Sequence, residues 1–196
     1  SGMAIIKDPD TGIRNMSIHR QQIMGKNRTG YLICPRQALR IYQKYQELNE
    51  PMPVAMVIGA HPAIYFSSSY TAPYGVDELT IAGSLLGEPV RLVKCETVDI
   101  EVPAEAEIIL EGYIPPDAIT PEGPFGEGSG GYAMEGYTQY LEVKAITRRK
   151  EPVFYAMQCG APMTDTQALV ATAIDMLLWD HLKNVEGGLD LLDLRC

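Results

Sequence analysis

The run Pro121–Gly131, PEGPFGEGSGG, constrains the fold of this chain more than any other stretch. Proline restricts φ and removes a backbone donor, whereas glycine admits conformations that other residues avoid, so a regular helix or strand is not expected here. The sequence therefore predicts an irregular loop of restricted shape. Its two carboxylates, Glu122 and Glu127, suit proton transfer, metal binding or the capture of a cation. Composition leaves a solvated acidic surface loop open as the alternative.

Bulk properties limit the classes of protein to which the chain can belong. Its 196 residues, 46% of them hydrophobic, are enough for one domain with a sizeable core, and no apolar run is long enough to span a bilayer. The net charge of −9 disfavours nucleic-acid binding, which needs clustered Lys and Arg. Cys34, Cys95, Cys159 and Cys196 form no CxxC pair, and the first two are expected to be buried free thiols. We expect a soluble, cytoplasmic protein.

Hydrophobic periodicity and turn residues predict an α+β fold. A predominance of antiparallel strands favours a β-barrel or curved sheet with helices packed outside. The last two strands are expected to pair as a hairpin around the basic turn 148–150. Whether 63–69 is helical stays open. Strands are predicted over 13–24, 31–34, 53–58, 89–102, 107–114, 137–147 and 153–158, and helices over 35–48, 76–86 and 164–184.

Both ends of the chain carry signals of their own. Ser1-Gly2-Met3 is typical of a scar left by tag cleavage. Thr164 and Gln167 have capping-box spacing and are expected to begin the last helix, which Gly187-Gly188 would end. Residues 189–194 are apolar at alternate positions, as in a strand, and this sequence offers that strand no partner. We therefore expect the chain to be a fragment of a longer protein.

Several polar residues are candidates for chemistry, and each has a structural alternative as a turn cap, a strand-surface charge or a helix-terminal charge. There is no GxSxG elbow, no Ser–His–Asp pattern and no glycine-rich turn that opens a helix after a strand. A function is favoured by the combination and by no single residue. The candidates are Asn15, Ser17, His19, Arg20, Ser68, Ser69, Glu78, Glu122 and Glu127.

Four segments occur in one order: DPDTGIRNMSIHR at 8–20, GVDELTIAGSLLGEP at 75–89, VKCETVDIEVP at 93–103 and PEGPFGE at 121–127. From about Lys7 to about Thr164 the chain closely resembles the UbiD-type decarboxylases, which use prenylated FMN. The EGPFGE loop is highly specific to that family, and the motif from Asn15 to Arg20 supports it independently.

UbiD-type proteins are much longer than this chain. They have an α/β N-terminal region, a central split β-barrel of flavin-reductase type that holds the flavin, and a C-terminal region reached through a long helix. The resemblance implies that residues 4–163 form the split barrel with flanking helices. Residues 164–196 would then be the connecting helix and the start of a truncated C-terminal region, and residues 1–3 the tag scar.

The resemblance also implies a metal and a cofactor site. In the family an Asn, a His and a Glu hold a divalent metal, usually Mn²⁺, that bridges to the cofactor phosphate; Mg²⁺ and K⁺ are further candidate ions. Asn15 and Glu78 match the Asn and the Glu. The family His falls near Gln37, and this chain has no His there, so only a weaker amide oxygen is offered. Segments that line the cofactor in the family contribute Ser17, Ile18, Arg20, Ser68, Ser69 and Tyr70.

Arg20, Glu122 and Glu127 match the Glu–Arg–Glu network of the family. Arg20 would neutralise one carboxylate and hold the substrate carboxylate, whereas Glu127 would protonate carbon after CO₂ leaves. Glu122 would stay ionised beside Arg20. The implied reaction is reversible, non-oxidative decarboxylation of an aromatic acid, of hydroxybenzoate type, or of an α,β-unsaturated acid. A flavin prenyltransferase would supply the cofactor, and the full-length protein would be a homo-oligomer.

Two other functions stay open at this point. The chain could be a non-catalytic barrel that binds a flavin without turnover. A carboxylate-pair glycosidase rests only on Glu122 and Glu127, and the motif from Asn15 to Arg20 gives it no support.

Overall fold

The computed structural model describes residues 2–134, 136–158, 160 and 164–184. The predicted strand at 189–194, the end of the last helix at Gly187-Gly188, and Cys159 and Cys196 lie outside these ranges. In chain order the elements are β1 (Gly2–Lys7), β2 (Arg14–Ile18), β3 (Arg28–Tyr31), α1 (Gln37–Leu48), β4 (Met52–Ile58), α2 (Pro62–Ser69), α3 (Glu78–Leu86), β5 (Leu92–Lys94), β6 (Glu101–Pro103), β7 (Ile108–Ile114), β8 (Thr120–Glu122), β9 (Phe125–Gly126), β10 (Tyr132–Ala133), β11 (Gly136–Arg148) and α4 (Asp165–Lys183).

An antiparallel sheet forms the centre of the molecule. Its strand order is β2-β1-β4-β7-β11-β3, and β8 pairs with the first residues of β11. The chain that continues β2 runs beside β3, since Leu32 N donates to Arg20 O (3.3 Å) and Gly30 N donates to Gln22 O (2.7 Å). The strand ladder itself is not closed. β5–β6 and β9–β10 form separate two-stranded ribbons.

The central sheet is buried on both faces. Side chains of a strand alternate between faces, so Met3 and Ile5 of β1 enter one core while Ala4 and Ile6 enter the other. Helices α2 and α3 contribute to the first core, and α1 covers the second with Ala38, Ile41, Tyr42 and Tyr45. Burial on both faces explains why β1 and β4 read as continuous apolar runs.

Two strand predictions were wrong. Residues 89–102 are not one strand but the ribbon β5–β6, because Glu111 accepts hydrogen bonds from Glu96 N (3.1 Å) and Thr97 N (2.6 Å) and holds the intervening turn. Residues 153–158 do not pair with β11. Instead Val153 N donates to Glu107 Oε2 (3.0 Å), which draws the chain away from that strand, and the partners of β11 are β7, β3 and β8.

Smaller differences concern boundaries and the cysteines. Only Tyr31 of the strand predicted over 31–34 belongs to β3, which begins at Arg28, and α1 begins at Gln37, two residues after Pro35. The end of α3 and the span of α4 agree with the prediction, and 62–69 is helical. Cys34 is exposed and Cys95 is half-buried, contrary to the expectation that both are buried. None of the helices within the described ranges has the length and hydrophobicity of a bilayer-spanning segment.

Replacing Gly112 with Ala should destabilise the protein by at least about 2 kcal/mol, because overpacking a sheet interior forces the backbone to move. A Cβ on Gly112 would lie 2.8 Å from the carbonyl carbon of Glu142 and 3.1 Å from Cα of Val143, beside the bulge in β11. Urea unfolding measures the change. Gly136→Ala is the control, since a Cβ there meets nothing within 4 Å. Equal stability of the two variants would contradict the prediction.

Candidate active site

Arg20 connects two acidic side chains that are distant in sequence. Its Nη2 and Nε lie 2.7 and 3.2 Å from Glu122 Oε2, and its Nη1 donates to Glu127 Oε1. The side chain of Glu122 is 4% exposed, that of Arg20 24% and that of Glu127 40%. The network therefore has a buried, ionic end at Glu122 and an open end at Glu127.

Burial of Arg20 by itself lowers the pKa of its guanidinium. The hydrogen bonds that Arg20 donates to Glu122 and the negative charges of Glu122 and Glu127 outweigh burial, and the pKa of Arg20 is raised overall. Arg20 is thus a permanent cation. Oε1 of Glu122 is buried without a hydrogen-bond partner among the described residues. The Arg20 guanidinium can bind an anion, and the accessible carboxyl group of Glu127 can exchange a proton with that anion.

The acidic loop contains more regular structure than its composition predicts. Glu122 ends β8, where it pairs with Gly136 of β11, and the Gly123–Pro124 peptide bond is cis. Gly123 has φ +100° and donates its N–H to Gln22 Oε1 (3.2 Å). The prediction excluded regular strand in this run, yet β9 lies inside it because Tyr132 and Ala133, outside the run, supply pairing partners.

The ring of Phe125 lies against the guanidinium group of Arg20. The Arg20 Cζ atom lies 5.1 Å from the centroid of the Phe125 ring, which is within range of a cation–π contact. Glu127 sits at the turn of the β9–β10 ribbon, where Glu127 N donates to Gly131 O (2.9 Å) and Gly130 N to Glu127 O (3.0 Å). The single aromatic residue of the loop therefore packs against the cation that both acids bind.

A second polar cluster lies at the other end of β2. Asn15 Nδ2 donates to Glu78 Oε1 (2.9 Å) and lies 3.5 Å from Gln37 Oε1, and Met16 N donates to Glu78 Oε2 (2.7 Å). Gln37 Nε2 donates to the carbonyl oxygen of Ala72. The structure thus brings together the predicted ligands Asn15 and Glu78 with Gln37, the residue near the expected His.

Glu78 is the first residue of α3, and Asp77 caps that helix by accepting from Leu79 N (3.0 Å). Burial raises the pKa of Glu78 to about 7, despite the hydrogen bonds from Met16 and Asn15 that favour the ionised form. Asn15 Oδ1 is buried and has no partner within the described part of the chain. In that part no group of three His, Cys, Asp or Glu side chains could hold a metal ion. The cluster of Asn15, Gln37 and Glu78 offers one carboxylate and two amides instead.

Ser17 and His19 support the segment between the two clusters. The carbonyl oxygen of Leu32 only accepts, so His19 Nδ1 donates to it (2.8 Å) and His19 Nε2 accepts from the Ser17 hydroxyl (2.8 Å). The ring stacks on Tyr31 with centroids 4.7 Å apart. Burial lowers the pKa of His19, so the ring is neutral at pH 7. His19 orients Ser17, whose oxygen keeps acceptor capacity.

The other predicted cofactor residues lie on neighbouring surfaces. Ile18, at the end of β2, is 39% exposed. Helix α2 packs against β2 and α3 and ends at Ser69, with Tyr70 as its C-cap. The hydroxyls of Ser68 and Ser69 donate to Tyr65 O (2.7 and 3.3 Å), which leaves only their acceptor capacity for a ligand.

Sequence reasoning missed several residues that hold these clusters in place. Gln22 lies on the segment that continues β2, and its side chain accepts the hydrogen bond from Gly123 N in the acidic loop. Asp8 accepts from Lys44 Nζ (2.7 Å) and from the Tyr74 hydroxyl, which fixes the loop before Glu78. Burial would raise the pKa of Asp8, but the hydrogen bonds from Lys44 and Tyr74 lower it to about 2. These contacts span more than thirty residues of sequence, and no short motif signals them.

Solved structures similar to this chain include UbiD-class enzymes. An evolved dimeric form of HmfF from Pelotomaculum thermopropionicum, in complex with prFMN, is 41% identical with a TM-score of 0.88, and the match covers 93% of this chain and 42% of HmfF. The vanillic acid decarboxylase of Sedimentibacter hydroxybenzoicus in its closed form is 30% identical with a TM-score of 0.88, over 93% of this chain and 40% of that one.

A protein of Aquifex aeolicus (strain VF5) is 36% identical over 170 residues, which are 86% of this chain and 35% of that protein. The chain thus spans about two fifths or less of the length of these relatives. The family model UbiD, described as the 3-octaprenyl-4-hydroxybenzoate carboxy-lyase Rift-related domain, matches residues 1–162. With the Glu–Arg–Glu network assembled in the structure, this match shows that the chain belongs to the UbiD family.

Proposed function

We propose that this chain is the cofactor-binding domain of a prenylated-FMN-dependent decarboxylase. Its substrate is an aromatic acid of hydroxybenzoate type or an α,β-unsaturated acid, from which CO₂ is removed reversibly. The observation that carries the proposal is the contact of Arg20 with both Glu122 and Glu127, which places a fixed cation beside an accessible acid.

The residues present fit a cofactor with a phosphate and a divalent metal. Asn15 Oδ1 is buried and has no partner among the residues that the structure describes, and Glu78 and Gln37 add further oxygen atoms, a donor set suited to Mn²⁺ or Mg²⁺. Asn15, Glu78 and Gln37 would hold the metal, with K⁺ as a further ion of the site. Such a metal would let a chain of net charge −9 hold a phosphate.

The spacing along β2 and the two residues that follow it also fits an extended cofactor. Asn15 and Arg20 are five residues apart, which is about 16 Å of extended chain. Ser17 and Ile18 lie between them, and Ser68, Ser69 and Tyr70 end the helix that packs on β2. HmfF, the relative described above, was solved in complex with prFMN. When bound, prenylated FMN supplies the electron sink for loss of CO₂.

The side chains of this chain would bind the substrate and move a proton. Arg20 binds the substrate carboxylate through its guanidinium N–H groups. Glu122, which is buried, accepts two hydrogen bonds from Arg20 and keeps its guanidinium oriented. Glu127 donates its proton to the carbon that CO₂ has left, a role that its partial exposure allows.

The proposal includes the architecture and the partners. Backbone hydrogen bonds between the continuation of β2 and β3 support a split β-barrel of flavin-reductase type over residues 4–163. Residues 164–196 then connect to a C-terminal region. A flavin prenyltransferase supplies the cofactor, and the full-length protein is a cytoplasmic homo-oligomer; HmfF has been solved as an evolved dimeric form.

Anaerobic loading with prenylated FMN, with and without Mn²⁺, tests the proposal. We expect metal-dependent binding of one cofactor per chain by absorbance and native mass, and decarboxylation of a panel of hydroxybenzoates by the loaded full-length protein. Cofactor binding without turnover in the full-length protein would favour the second candidate, a non-catalytic flavin-binding barrel, which the Gln at position 37 supports. No binding by the full-length protein would contradict both.

Replacing Gln37 with His should raise the Mn²⁺ affinity about tenfold, because an imidazole nitrogen is a better ligand than a neutral amide oxygen. Titration of the chain with Mn²⁺, followed by electron paramagnetic resonance, measures the affinity. Gln43→His is the matched control, since Gln43 lies on the exposed side of the same helix. An unchanged affinity in Gln37→His would place the metal elsewhere.

A further inference from the structure

Gln167, in the first turn of α4, contacts two separate parts of the chain with the two ends of one amide group. Its Oε1 accepts from Thr164 N (2.8 Å) and from the Thr164 hydroxyl (3.4 Å), which is half of a capping box. Its Nε2 donates to the carbonyl oxygen of Gly128, the residue that follows Glu127. One side chain therefore links the start of a helix to the acidic loop.

The ribbon β9–β10, which carries Glu127, needs such a link. Within the described ranges its two strands pair with each other and with no strand of the central sheet. Its turn, Glu127–Gly131, contains three glycines, which leave the backbone many alternative conformations. The contacts that attach the ribbon to the rest of the protein include Arg20 with Glu127, Arg20 with Phe125, and Gln167 with Gly128.

We infer that Gln167 is a positioning residue for Glu127: its amide N–H fixes the turn that carries this acid, so the location of Glu127 depends on the first turn of α4. The link itself is independent of any ligand. Its importance for catalysis rests on the proposed function.

Two substitutions separate the two ends of the amide. Gln167→Glu keeps an acceptor for Thr164 N and removes the donor to Gly128. Gln167→Lys keeps a donor at nearly the same reach and removes the acceptor. Amide hydrogen exchange of the 196-residue chain measures the loss of either contact. The N–H groups of Glu127 and Gly130 report on the turn. The N–H group of Ala168, which donates to Thr164 O (2.9 Å), reports on the start of the helix.

In Gln167→Glu we expect the amides of Glu127 and Gly130 to exchange about five- to tenfold faster, as for the loss of one hydrogen bond, with Ala168 unchanged. In Gln167→Lys we expect the reverse: Ala168 exchanges faster, and the turn keeps its wild-type rates. In the loaded full-length enzyme kcat should fall in Gln167→Glu and recover in Gln167→Lys, with KM unchanged.

Wild-type exchange at Glu127 and Gly130 in Gln167→Glu would overturn the inference. So would equal acceleration of the turn by both substitutions, because a general loosening of α4 would then explain the result. The exchange experiment uses no cofactor. Failure of the proposed function would therefore leave its outcome intact, and failure of the inference would leave the proposed function intact.

Discussion

Arg20→Ala in the full-length, cofactor-loaded protein should lower kcat/KM for decarboxylation by on the order of 10³-fold. The substitution removes the cation that we propose for the substrate carboxylate, and it leaves the buried Glu122 without its partner. Removing one member of a buried ion pair typically costs about 3–5 kcal/mol, so a loss of stability should accompany the loss of activity. Steady-state kinetics and urea unfolding measure the two effects.

Two variants control for charge and for general surface change. Arg20→Lys keeps the charge but loses the planar fork, and we expect it to recover only a minor part of the activity. Arg28→Ala removes an arginine that also faces a carboxylate and an aromatic ring. Arg28 Nη2 lies 3.6 Å from Glu142 Oε1, and Arg28 Cζ lies 3.9 Å from the centroid of the Tyr140 ring. It should retain nearly full activity. Wild-type kinetics in Arg20→Ala would reject the proposed network.

Glu127→Gln should abolish most of the decarboxylation, by about 10²- to 10⁴-fold in kcat, while the cofactor stays bound. Gln has the size and polarity of Glu but carries no transferable proton. The side chain is partly exposed and lies outside the central sheet, so stability should change little. Turnover and absorbance of the bound flavin, measured on one sample, separate loss of chemistry from loss of the cofactor.

The matched control for this variant is Glu142→Gln. Glu142 lies on β11 and also pairs with cationic side chains, Arg28 and Lys144, but it belongs to neither polar cluster. The same chemical change there should leave kcat within about twofold of wild type, as for most surface substitutions. Undiminished turnover in Glu127→Gln would assign the proton to another group.

Elements whose signal is local were predicted well from the sequence. Helices α1, α3 and α4 and strands β4 and β7 each follow from periodicity and turn residues within their own span. The failures at 89–102 and 153–158 have a common physical cause. In each, a glutamate from elsewhere in the chain, Glu111 or Glu107, binds backbone N–H groups that a strand would have used.

The residue types alone marked Arg20, Glu122 and Glu127 as candidates, but only the family resemblance predicted that they form one site. Arg20 contacts Glu122 and Glu127, which are 102 and 107 residues away, and composition alone had left an acidic surface loop open. The motif resemblance named all three residues, and the structure brings them together; their catalytic roles remain predictions. The contacts of Gln22 with Gly123 and of Gln167 with Gly128 could not be identified in advance, because an amide that binds a distant backbone atom leaves no pattern in its own neighbourhood.

The long sequence separation within the network has a consequence for biosynthesis. Ribosomes add about 5–20 residues per second, so Glu127 follows Arg20 out of the ribosome after about 5–20 s. The Asn15–Glu78 cluster, 63 residues apart, can assemble earlier in translation. All residues of the Asn15–Glu78 cluster, which we propose for the phosphate and its metal, are therefore synthesised before Glu127. During that interval a nascent chain exposes an unpaired Arg20.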